Sequence, residues 1–264
     1  SGAKVSIEVF EQAAQYKEIG AGVGIGPNTA KLLHQIGLGE ELNSIAGFRE
    51  GVWISFRRFD NGAEIVTVPS KHNTAVRQAP VARSELLDLF VRTIREREAA
   101  TLHTAKQALS VEDYGDRVLV CFADGTSSSV SLAVTCDGIH SNIRNQFLMD
   151  MPTYSGRIVY RGVVPIDTVQ SWWPFRSYSV SWLAKDSHFF VFPISRNRLL
   201  NIVAFASKDE SDVPDLTESW AASCPRHNAE RDFAQYDETV KKVIARLSDR
   251  TSKWKLNDRE PLDH

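Results

Sequence analysis

Val5-Ser6-Ile7-Glu8-Val9-Phe10-Glu11 and, after residues 12–19, Gly20-Ala21-Gly22-Val23-Gly24-Ile25-Gly26-Pro27-Asn28 are the two stretches that decide the fold. In the first, Val5, Ile7 and Val9 alternate with Ser6 and Glu8, the period of a strand, and Glu11 closes it. Ser1-Gly2-Ala3 reads as the short turn after a preceding helix, so a parallel α/β sheet already under way is expected. In the second, glycines lead into Pro27-Asn28, which caps an amphipathic helix with Leu32, Leu33 and Ile36 inward and Gly37 closing it.

The glycines invite a phosphate-loop reading. A dinucleotide fingerprint opens directly after the first strand, however, and here residues 12–19 intervene, which argues against a nicotinamide dehydrogenase built on this loop. The run is therefore either a tight loop or one that approaches a flat cofactor, since glycine permits close backbone contact. Glu11 stands at the carboxyl end of an apolar strand, from which an acid reaches a ribose hydroxyl in a nucleotide-binding sheet. Its alternative is a solvated acid at a strand end.

Working outward, residues 52–56 and 64–68 flank Asp60-Asn61-Gly62 as a hairpin. Ser84 can cap a helix carrying Leu86, Leu87, Phe90, Val91 and Ile94. Strands near 118–122 and 130–134 join through Asp124-Gly125 and run into Cys136-Asp137-Gly138, after which Ser141 starts a short helix. From about Tyr154 the texture turns to longer β runs, at 158–164, 178–183, 189–193 and 199–205, and Val240, Val243, Ile244 and Leu247 then recur at helical spacing. Two domains are expected, residues 1–150 and 151–264, with the 52–68 hairpin joining the second. The second is mainly antiparallel.

The chain has 264 residues, 42% hydrophobic and 24% charged, enough for a substantial core. A net charge of -2 gives no field to gather nucleic acid or an anionic membrane. No apolar run approaches the roughly 20 residues of a membrane helix, and no leader pattern opens the chain, so a cytoplasmic protein is expected. Cys121, Cys136 and Cys224 are scattered and read as buried or semi-buried free thiols. Neither they nor the histidines show metal-ligand spacing, so no metal is expected.

Taken in order, the motifs resemble a family. Val9-Phe10-Glu11-Gln12-Ala13 and Glu18–Asn28 are similar to the second strand and following loop of the salicylate-hydroxylase-like, FAD-dependent aromatic-ring monooxygenases. Val81-Ala82-Arg83-Ser84-Glu85-Leu86-Leu87 resembles their arginine segment, and Cys136-Asp137-Gly138-Ile139-His140-Ser141-Asn142-Ile143-Arg144 their Asp-Gly motif. Tyr160-Arg161-Gly162-Val163-Val164-Pro165 resembles the opening of the substrate-domain sheet, and residues 254–262 the segment ahead of the last flavin motif. The family's first strand and phosphate loop would precede Ser1, and its Gly-Asp motif would follow His264. Phe192 precedes Pro193 where relatives often carry a tyrosine.

The resemblance implies an FAD-binding Rossmann-like parallel sheet beside an antiparallel substrate sheet. It implies FAD as cofactor, NAD(P)H as co-substrate, and a small aromatic or related organic substrate hydroxylated with molecular oxygen through a C4a-hydroperoxyflavin. FAD would rest its adenosine ribose on Glu11 and its phosphates and ribityl chain near Arg83 and Asp137-Gly138, with Gly20, Ala21, Gly22 and Gly24 beside the flavin. Arg161 is the substrate-side cation, or else a sheet arginine paired with an acid. Tyr160, Trp182, His188 and Phe190 line the pocket, or else belong to the core. The competing expectation is a truncated, cofactor-free fragment or binding module.

Overall fold

The computed structural model describes residues 5–16, 22–48, 51–70, 76–213 and 222–261. In chain order these form β1 (Glu8–Phe10), β2 (Gly22–Ile25), α1 (Pro27–Gln35), α2 (Gly39–Ile45), β3 (Val52–Arg58), β4 (Glu64–Pro69), β5 (Ala79–Ala82), α3 (Arg83–Glu96), β6 (Thr101–His103), β7 (Ala108–Asp113), β8 (Val118–Phe122), β9 (Ser127–Val130), α4 (Arg144–Phe147), β10 (Thr153–Pro165), α5 (Asp167–Gln170), β11 (Val180–Leu183), β12 (Ser187–Ile194), β13 (Leu199–Ser207), β14 (Ser223–Pro225), α6 (His227–Asp232), α7 (Glu238–Ile244) and β15 (Arg250–Asp258). No described helix is long and apolar enough to cross a membrane. The turn expected at Ser1-Gly2-Ala3 lies outside the described residues.

The chain divides into two compact units. The first comprises Ser1–Lys17, Phe90–Thr153 and Asn257–His264; the second comprises Glu18–Leu89 and Tyr154–Leu256. This differs from a single boundary near residue 150. The 52–68 hairpin lies in the second unit as expected, β3 being parallel to β11; what differs is that the rest of Glu18–Leu89 lies there too, with Gly22 of β2 hydrogen-bonded to Arg161 and Asn201.

In the first unit β1 runs parallel to β6, with Val9 opposite Leu102 and Phe10 opposite His103. The pairing is parallel, as expected of this sheet, though the strand is shorter than the Val5–Glu11 run and omits Val5 and Ile7. With β6 as its one neighbour among the described residues, β1 leaves Val5 77%, Ile7 51% and Val9 36% exposed. β7, β8 and β9 form an antiparallel meander. The strand expected over 130–134 ends at Val130, because β8 begins at Val118, directly opposite, and residues 131–134 have nothing left to pair. At the expected start of the short helix, Ser141 Oγ accepts the backbone N–H of Arg144 at 2.8 Å.

The second unit is an eight-stranded sheet, in the order β14-β15-β10-β13-β12-β11-β3-β4. Its four longest expected strands are present. Successive side chains point to opposite faces. One face carries Ile158, Tyr160, Val164, Trp182, Phe189, Val191, Leu200 and Ile202, packed with Phe233, Tyr236, Val240, Val243, Ile244 and Leu247 from α6, α7 and their flanks. The other carries Val159, Phe192, Ile194, Val203 and Trp254, packed with Ala82 of β5.

Two helices depart from expectation. In α1 it is Ala30 and Leu33 that are buried, whereas Leu32 and Ile36 are 62% and 56% exposed; Gly37, at φ +77°, does close the helix. α3 begins at Arg83, so Ser84 lies inside its first turn, and its most buried residue is Leu89. The glycine run also departs from a loop. Gly22–Ile25 is a strand, paired antiparallel with β5, Gly22 opposite Ala82 and Gly24 opposite Pro80.

Candidate functional site

Register sets the chemistry of the second unit's other face, the one packed with β5. Across β10, β13 and β12 three rows of side chains align: Val159 with Phe205 and His188, Arg161 with Val203 and Phe190, and Val163 with Asn201 and Phe192. His188 stacks on Phe205 with ring centroids 4.3 Å apart, and Phe190 lies 5.0 Å from Phe192. Burial, then the charge of Arg157, lowers the proton affinity of His188, so the imidazole stays neutral near pH 7. The face is aromatic, with one embedded cation.

That cation is Arg161, half-buried over the Trp254 ring at 5.7 Å. Its Nη2 donates to the Gly22 carbonyl at 2.8 Å. Asn201 Oδ1 accepts the Gly22 N–H at 2.7 Å, so two neighbouring strands grip one glycine of β2 at both backbone polar groups. A Cβ on Gly22 would lie 2.7 Å from Asn201 Cγ, which is why the approach requires glycine. Gly24, two residues on, is exposed, with no atom within 4 Å of where its Cβ would be. Burial, and secondarily the like charge of Arg83 at the start of α3, lowers the proton affinity of Arg161.

The structure separates the expected pocket residues. Arg161, His188 and Phe190 share the β5-side face, while Tyr160 and Trp182 point to the helix-packed one, where they are 1% and 0% exposed. Tyr160 Oη donates to Asp232 Oδ2 at 2.8 Å, and Trp182 Nε1 donates to Asp237 Oδ2 at 2.8 Å. Asp237 also caps α7 by accepting the Val240 N–H at 2.9 Å. Both aromatics therefore fasten helices to the sheet. Asn201 escaped the sequence reading, although an amide inside Leu199-Leu200-Asn201-Ile202-Val203 is a signal in itself: a buried polar group needs a partner.

In the first unit Glu11 stands just past β1, as its position in the sequence suggests. Its Oε1 accepts the Ala13 N–H at 2.7 Å, and among the described residues Oε2 carries no hydrogen bond. Asp137 is exposed and its Oδ2 accepts the Ile143 N–H at 3.4 Å; Gly138 follows at φ +79°. Cys136 is exposed, contrary to the expected buried thiol, because the segment after β9 has no neighbouring strand among the described residues. Arg259 ties this loop down, donating to the Ile139 carbonyl at 2.7 Å and to Asp150 Oδ1 at 2.6 Å. Gly20 and Ala21 lie outside the described residues. Among those described, no group of His, Cys, Asp and Glu could hold a metal ion.

Within each unit, then, residues fit parts of a flavin nucleotide: an acid with an unused oxygen at a strand end in one, and an open glycine backbone beside an arginine-bearing aromatic face in the other. Known proteins resemble the chain over nearly all of its length. The chain is 30% identical over 259 residues to a 3-amino-4-hydroxybenzoate 2-monooxygenase of Streptomyces platensis, covering 98% of this chain and 63% of that protein. It is 28% identical over 279 residues to a salicylate hydroxylase of Pseudomonas putida, covering 96% and 61%. It thus spans less than two thirds of the length of these relatives. Among solved structures, Klebsiella pneumoniae HpxO complexed with FAD and uric acid superposes with a TM-score of 0.78 at 23% identity, over 97% of this chain and 62% of that one. A salicylate hydroxylase substrate complex superposes with a TM-score of 0.76 at 22% identity, over 92% and 62%. A family model described as FAD binding domain matches residues 3–257, and the chain belongs to that family.

Proposed function

We propose that the protein is an FAD-dependent monooxygenase that hydroxylates a small aromatic acid, with NAD(P)H as reductant and molecular oxygen as co-substrate. The observation that carries this reading is the sheet face that Arg161, bound to the Gly22 carbonyl of β2, shares with Phe190, Phe205 and His188. Family membership and relatives that act on hydroxylated benzoates support it. When bound, FAD supplies the redox and oxygen-transfer chemistry.

The chain's own residues would do the rest. Glu11 would accept a ribose hydroxyl at Oε2, while Arg83, and Asp137 with Gly138, would face the phosphates and ribityl chain. Gly22 and Gly24 would let β2 approach the flat ring system. Arg161 would hold the substrate carboxylate. Phe190, Phe192 and Phe205 would exclude water and orient the ring, and the neutral imidazole of His188 could take a proton from a ring hydroxyl. Tyr160 and Trp182 have no part in this assignment.

The test is FAD titration of the chain followed by gel filtration. Flavin absorption should co-elute with the protein, and an aromatic acid should stimulate NAD(P)H oxidation with oxygen uptake. Glu11→Ala should weaken FAD about tenfold, the effect of losing one charge-assisted hydrogen bond of roughly 1.5 kcal/mol. A colourless protein that takes up no FAD would refute the proposal and leave the fragment reading.

A further inference from the structure

Arg161 is a half-buried cation with no counter-ion among the described residues. Its Nη2 is used on the Gly22 carbonyl, and its Nε is buried with no partner among the described residues. No carboxylate among those residues pairs with it; burial and Arg83 both work against its charge. An arginine so placed is costly unless an anion joins it.

Asn201 stands where that anion would most simply come from the protein itself. It is 0% exposed and a diagonal neighbour of Arg161 across β10 and β13, and both side chains touch Gly22. Its Oδ1 is occupied by the Gly22 N–H, but its Nδ2 is buried with no partner among the described residues. An aspartate would keep the Gly22 bond, shed the orphaned donor and set a negative charge on the diagonal neighbour of the guanidinium. By local hydrogen bonding alone, the carboxylate is the better residue. The amide keeps the site positive.

We propose that Asn201 is a specificity-determining residue: by gripping Gly22 while remaining neutral, it holds Arg161 in place with its charge unspent, so that the anion completing the site is a ligand carboxylate. The inference rests on the assignment of Arg161 to the substrate side made above, and it adds the residue that keeps Arg161 available.

Calorimetric titration of the protein with benzoate and with neutral benzamide tests it without FAD turnover. Benzoate should bind saturably and benzamide at least about tenfold more weakly, the difference one charge-assisted pair makes. Asn201→Asp should weaken benzoate at least about tenfold and leave benzamide unchanged, because the new carboxylate occupies Arg161. Asn201→Ser, neutral but too short to keep the Gly22 bond, should weaken benzoate and benzamide alike, so that the preference for benzoate stays within about threefold of the parent's. Should Asn201→Asp not fold, Arg161→Gln against Asn201→Ser makes the same comparison: loss of the benzoate preference in the first and its retention in the second is expected. Benzoate binding by Asn201→Asp equal to that of the parent, equal binding of benzoate and benzamide, or no binding of benzoate by the parent would each overturn the proposal. Benzoate binding that obeys these rules in a protein without flavin or oxygen uptake would instead overturn the monooxygenase reading and leave this site standing.

Discussion

Replacing Tyr160 by phenylalanine separates the two roles that the sequence left open for this residue. The ring would keep its packing, edge-on to Phe233 at 6.2 Å, so the change removes only the hydroxyl and its 2.8 Å bond to Asp232 Oδ2. The Asp232 side chain is 3% exposed, and its Oδ1 keeps Lys208 at 3.2 Å. The loss is therefore one hydrogen bond to a charged, buried acceptor that retains another partner, about 1.5 kcal/mol at the low end of such bonds. For a protein of this size, about 2–4 °C per kcal/mol gives a melting temperature lower by about 3–6 °C. The assay is thermal unfolding followed by circular dichroism, paired with titration of an aromatic acid. An unchanged melting temperature together with weakened ligand binding would refute the face assignment and return Tyr160 to the pocket.

Two further outcomes follow from the geometry. Arg259→Ala removes the side chain that bridges Ile139 and Asp150; because Asp150 retains Arg144, the loss should be local, and amide hydrogen exchange should rise at residues 139–150 more than in the β10–β13 sheet. His188 binds a proton more weakly in the folded protein than in the unfolded chain, so the stability tied to it is present above about pH 6.5 and is lost as pH falls below that value; melting temperatures between pH 7 and pH 5 should decline less steeply in His188→Asn than in the parent.

Where apolar spacing was strong, the sequence announced the structure. The runs that became β10, β11, β12 and β13 are rich in β-branched and aromatic residues, and Val240, Val243 and Ile244 recur at helical spacing and are buried in α7. Local pattern failed where partners decide. The two glycines of Gly22–Ile25 weaken the strand preference of Val23 and Ile25, and pairing with β5 makes it a strand. Leu32 and Ile36 match a helical stripe, yet it is Ala30 and Leu33 that are buried, on a helix that contacts α2. Of the candidate site, Arg161, His188 and Phe190 were legible as residue types, but not the fact that a one-residue offset sends Tyr160 and Trp182 to the opposite face. Asn201 was overlooked because its meaning lies in Gly22, which is 179 positions away.

The two-faced strand has a consequence for how this protein can change over time. On β10, adjacent residues serve different masters: Tyr160 anchors a helix and Arg161 carries charge to the β5 side. Inserting or deleting one residue within β10, β12 or β13 would exchange the two sets at once, burying the guanidinium among apolar side chains and turning an anchor outward. Length variation should thus be confined to the connections, such as residues 184–186 and 195–198, while the strands themselves drift only by substitution. Catalytic novelty can then be explored at alternate positions on one face, with the other face left to keep the molecule folded.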